Sequence, residues 1–111
     1  MIITKDLKDN KVFLLRYFRN RAAEEMHYLA SQYAAKEFKE KTRALNRYLI
    51  QSRDNVIAAV KETSESEQWS RIDTLECLLM VVYTNDVVML ESRNAIWDYD
   101  YMAFSRRIGE L

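Results

Sequence analysis

Apolar residues recur every three or four positions over most of this chain, and that spacing predicts helices. The first stripe runs Leu15, Phe18, Ala22, Met26, Leu29 and Tyr33, and a second runs Phe38, Leu45, Leu49, Val56 and Val60. Asp6, Asp9 and Asn10 stand ahead of the first stripe, where their side chains can accept from the unpaired amides of a first helical turn. No Pro or Gly separates the two stripes, and the break between them is expected near Lys36. Thr63 to Glu67 is the one cluster of small and polar residues, and it is read as a linker.

Beyond that linker the run Cys77 to Tyr83 is apolar around the whole helical circumference, which predicts a central helix covered on several sides. Asp86 continues the stripe of Leu75, Leu79 and Val82, so it is expected to be buried and paired with Arg16 or Arg19. Ser92, Arg93 and Asn94 interrupt the pattern, and a last short helix should follow. On that helix Trp97, Tyr101, Phe104 and Ile108 form one inward stripe, with Asp98 and Asp100 in the first turn and Arg106 and Arg107 in the last. The fold class predicted is all-α: a single domain spanning residues 1–111, a bundle of about four helices.

Composition narrows the picture. The chain has no proline, and its one glycine is Gly109, which excludes glycine-rich phosphate loops and argues against nucleotide-dependent catalysis. The opening residues lack a signal-peptide pattern, and no apolar run approaches a membrane span, so a cytoplasmic protein without membrane attachment is expected. A single cysteine agrees with a reducing compartment. The formal net charge is zero, yet residues 1–53 carry 12 basic and 6 acidic side chains while residues 54–111 carry 5 and 11. Either the halves neutralise each other within the fold, or one of them offers a charged face to a partner.

Candidate chemistry is sparse. Glu24 and His27 form a Glu-x-x-His pair, half of the ligand set of a carboxylate metal bundle, but there is no second histidine to complete it. A site would need carboxylates such as Glu76 and Asp86, and the plainer expectation is a histidine paired with Glu24. Cys77, at the start of the apolar run, reads as a small buried hydrophobe with a raised pKa, and a Cys77 and His27 nucleophile pair is rejected. Lys36, Lys39, Arg43 and Arg47 recur at helical spacing beside Tyr48, a pattern suited to phosphate contact, but Glu37 and Glu40 interrupt it. No metal and no cofactor is expected.

The segment from Asp98 to Arg106 is unusual in mixing acids with aromatics. If Trp97, Tyr101 and Phe104 face inward, Tyr99 and Met102 turn outward beside Asp98, Asp100 and Arg106, a composition enriched where interfaces concentrate binding energy. On Asp98, Tyr99, Asp100 and Tyr101, the chain resembles the small helical immunity proteins that neutralise bacterial nuclease toxins. It lacks the proline that stands beside the tyrosines in the nuclease-colicin type. The resemblance implies that Tyr99 and its acidic neighbours contact a basic protein such as a toxin domain. The expectation is therefore a non-enzymatic, protein-binding inhibitor whose contact residues are Asp98, Tyr99, Asp100, Met102 and Arg106. The alternative is a nucleic-acid-binding regulator that uses the basic face of residues 36–47. Homo-oligomerisation is left open.

Overall fold

A computed structural model describes residues 3–33, 37 and 40–98, with the backbone alone for residues 96–98. Among the described residues there are three helices and no strand: α1 Leu7–Gln32, α2 Thr42–Ser66 and α3 Arg71–Asp98. The all-helical bundle stands, with three described helices where about four were expected.

Local chemistry sets the helix ends. Asp6 caps α1, its side chain accepting from the amides of Lys8 at 3.0 Å and Asp9 at 3.5 Å. Asn10, another candidate cap, is instead buried, and its amide donates to the carbonyl of Thr4 and reaches Cys77 Sγ at 3.5 Å. Helix α1 ends at Gln32 and α2 begins at Thr42, while Lys36, where the first break is expected, lies outside the described residues. Thr63 to Ser66 form no linker: α2 runs through them, because the hydroxyls of Ser64 and Ser66 return to the carbonyls of Lys61 and Thr63. The turn comes at Glu67 to Ser70. There the Trp69 amide donates to Ser64 and the Gln68 amide to Glu65, a Schellman closure with Gln68 at φ 55°. Ser70 then caps α3 by accepting from the Asp73 amide at 3.1 Å.

The core is built from Leu14, Phe18, Ala22, Met26 and Leu29 of α1 with Leu45, Leu49, Val56 and Val60 of α2. Of the expected first stripe, Leu15 is only half-buried and Tyr33 is exposed, with Leu14 taking the inward position. Phe38 lies outside the described residues. Helix α3 contributes Cys77, Val81, Val88 and Ala95, with the polar Thr84, Asn85 and Ser92 buried among them. Thr84 and Ser92 each donate to the carbonyl four residues earlier, and Asn85 Nδ2 donates across to the carbonyl of Leu49 at 3.1 Å.

Two expectations about α3 fail. Ser92 to Asn94 do not end the helix; the Ser92 hydroxyl is satisfied inside it, and α3 continues to Asp98, so Asp98 does not lie in the first turn of a new helix. Nor is α3 covered on all sides. Ile72, Leu75, Leu79, Tyr83 and Leu90 face solvent and Asp86 is exposed among them, so the carboxylate needs no buried arginine.

Candidate protein-binding surface

The inward side of α3 carries Cys77, Val81, Val88 and Ala95 with the polar Thr84, Asn85 and Ser92, and Leu78, Met80 and Met89 pack against the core at its edges, whereas its outward side carries Ile72, Leu75, Leu79, Tyr83 and Leu90. These recur at helical spacing and form one stripe directly opposite the core. Ile72 is 69% exposed, Tyr83 65% and Leu79 60%, values far above those of core residues on the same helix. Scattered exposed leucines need no explanation, but a stripe of them on one helix side does: five such side chains present on the order of 500 Å² of apolar surface, as large as the biggest patch on an ordinary monomer. Glu76 and Asp86 are exposed along the same helix. Sequence reading had treated Leu75, Leu79, Val82 and Asp86 as the inward stripe. The available signal was Asp86 itself, whose desolvation is avoided when that stripe faces water.

Of the expected contact residues, Tyr99, Asp100, Met102 and Arg106 lie outside the described residues. Asp98 is placed only by its backbone, as the last described residue of α3.

Helix α1 borders α3 on one side. Lys11 and Leu15 share a small cleft with Tyr83, Thr84 and Val87. Asn10 touches Cys77 near the start of both helices, and Leu15 meets Tyr83 and Val87 further along, so α1 and α3 run in the same direction at matched heights. The outer side of α1 is basic, with Lys8, Lys11 and Arg16 exposed and Arg19 half-buried. The two ion pairs that can be described, Arg21 with Glu24 and Arg53 with Asp54, are both local in sequence.

The remaining candidates separate in space. Glu24 accepts from Arg21 at 3.0 Å and from the Tyr48 hydroxyl at 3.3 Å, and Arg21 lies 5.2 Å from the centre of the Tyr17 ring. Tyr48 and Tyr17 raise the Arg21 pKa above its ordinary value, so the guanidinium stays charged. This cluster ties α1 to α2, and it occupies Glu24. Burial raises the pKa of the half-buried Glu25. Among the described residues no group of three or more His, Cys, Asp and Glu side chains is gathered as a metal site would require.

Cys77 is buried, and loss of solvation raises its thiol pKa. His27 is exposed on α1, about 25 Å further along the helix than the Asn10 that touches Cys77. Arg43 and Arg47 line one open hollow on α2 with Asn46 and Ile50. Tyr48 is turned from that hollow towards Glu24, Lys41 lies 4.6 Å from the centre of the Tyr33 ring, and Lys36 and Lys39 are outside the described residues. No described helix is long and apolar enough to cross a membrane.

No protein family, curated protein or solved structure matches the chain.

Proposed function

We propose that this chain is a non-enzymatic, protein-binding domain whose C-terminal half meets other proteins. The observation that carries this reading is the outer side of α3, which holds a stripe of large apolar groups in solvent opposite its core-facing side. Exposing such a stripe has a cost in water that association removes.

The finer reading is an inhibitor of the immunity type, directed at a basic surface such as that of a nuclease toxin. Its epitope is Asp98, Tyr99, Asp100, Met102 and Arg106, the segment into which α3 leads. Exposed Glu76 and Asp86 make the approach to that segment acidic, and the imbalance between the two halves supports a cationic partner. Inhibition is steric and electrostatic: Tyr99 and Met102 fill a hollow while the aspartates pair with cations that otherwise hold substrate. No cofactor takes part. With a partner recovered by pull-down, Tyr99→Ala and Asp98→Ala should each weaken binding about tenfold while the helical circular-dichroism signal and melting temperature hold. Unchanged affinity in both variants would remove this epitope.

A second reading draws on Arg43 and Arg47, which line one hollow. A nucleic-acid regulator using them should bind DNA or RNA with steep salt dependence, weakened by Arg43→Ala and Arg47→Ala. Absence of any binding at low salt would eliminate it.

A further inference from the structure

We infer that the outer face formed by α1 and α3 is the interface of a two-fold symmetric homodimer, with α1 of each copy lying over α3 of the other. The inference rests on reading the α3 stripe as a protein-binding surface, and it names a second copy of this chain as the occupant from Ile72 to Leu90. The segment beyond Asp98 is left for a foreign partner.

The exposed area matches a standard interface. The α3 stripe supplies on the order of 500 Å² of apolar surface, and the adjoining side of α1 brings the face to about the 800 Å² per copy that a standard stable interface buries. On α1 the residues Lys8, Val12, Leu15 and Arg19 recur at i, i+4, i+7 and i+11 and so share one side of the helix. Leu15 meets α3 at the cleft beside Tyr83, which identifies that side as the one bordering α3. Val12 is exposed there. The combined face thus carries the apolar stripe of α3, with Asp86 within it and Glu76 beside it, next to the basic residues of α1.

Charge then selects the symmetry. A two-fold axis across the helices would stack α1 on its own copy, basic against basic. An axis parallel to the helices places α1 over α3 and preserves height along the bundle. The offset in residue number that joins Asn10 to Cys77 is nearly the same as that joining Lys8 to Glu76, and it is identical to that joining Arg19 to Asp86. Lys8 of one copy therefore stands level with Glu76 of the other, and Arg19 with Asp86. The isologous arrangement repeats both pairs, so four complementary contacts surround the apolar centre. It also brings the two oppositely charged halves together between copies.

Sedimentation equilibrium of the full chain tests the proposal, with circular dichroism confirming that each variant is folded. The wild type should sediment at twice its 13.3 kDa across the micromolar range. Leu79→Lys and Tyr83→Lys, both at exposed positions, should return it to the monomer mass. Lys8→Glu and Arg19→Glu should each weaken the dimer at least tenfold, and adding Glu76→Lys to the first or Asp86→Lys to the second should restore it. A monomer at every concentration would overturn the homodimer; if the stripe substitutions still abolished capture of a foreign protein, the protein-binding reading would survive without it. Persistence of the dimer in Leu79→Lys and Tyr83→Lys would overturn the proposed interface. A monomer whose foreign binding also ignored those substitutions would overturn both.

Discussion

Gln68 shows how one side chain can run against its backbone. At φ 55° it occupies the left-handed position that closes α2, where a residue with a Cβ carries roughly 1–2 kcal/mol of steric cost and glycine carries none. Gln68→Gly should therefore stabilise the fold by about 1 kcal/mol, raising the melting temperature by several degrees in a thermal circular-dichroism scan. A lower melting temperature would mean that the glutamine side chain contributes more than its strain. Cys77 presents the opposite case, a group suited to its surroundings as long as it stays neutral. Burial raises its pKa in the folded state, so the fold holds the thiol proton more tightly than the unfolded chain does. The resulting stabilisation is complete below the ordinary thiol pKa and is lost as pH rises towards the folded value. Denaturant midpoints should fall with pH through that window in the wild type and fall less steeply in Cys77→Ala. At neutral pH the native thiol should resist a disulfide reagent that reacts freely in denaturant.

At the scale of elements, α3 determines how the bundle is put together. Its core face is narrow and partly polar, and Asn85 is buried with Nδ2 bonded to Leu49 while Oδ1 has no partner among the described residues. Replacing such a group by an apolar one of similar volume removes a desolvation cost, so Asn85→Leu should raise the denaturant midpoint. A lower midpoint would assign the amide a stabilising role that outweighs its unpaired oxygen. Helices α1 and α2 were legible in the sequence because their polarity is ordinary: Phe18, Ala22, Met26 and Leu29, like Leu45, Leu49, Val56 and Val60, are apolar and inward. Helix α3 was legible as a helix but not in its orientation. A stripe containing Leu75, Leu79 and Tyr83 looks inward under the rule that large apolar residues are buried, and that rule fails when the surface has a second use. Breaks were misplaced at Thr63 to Glu67 and at Ser92 to Asn94 for one shared reason. Hydroxyl side chains serve turns and helices alike, and composition cannot tell which carbonyl they will find. The expected epitope from Tyr99 to Arg106 lies outside the described residues.

For the whole molecule, shape gives an independent check on assembly. The Cα radius of gyration is 15.1 Å, larger than the roughly 13 Å of a compact domain of this length, and the principal extents are 49 × 24 × 17 Å. Such an elongated body has two very different ways to pair. Stacking face to face, with α1 over α3 at the 8–10 Å spacing of packed helices, adds little to the mean-square distance from the centre and gives a dimer radius of roughly 17 Å. Joining end to end along the 49 Å direction would give nearly 30 Å by the same parallel-axis argument, and it would leave the α3 stripe in water. Small-angle scattering of the full chain should therefore show the molecular mass double while the radius rises by only a few ångströms. In Tyr83→Lys both quantities should return to the monomer values. A doubled mass with a radius near 30 Å would place the contact at the ends of the bundle. The exposed apolar side of α3 would then need a different occupant, and a foreign protein recognised by its basic surface would be the remaining candidate for the whole length of the helix.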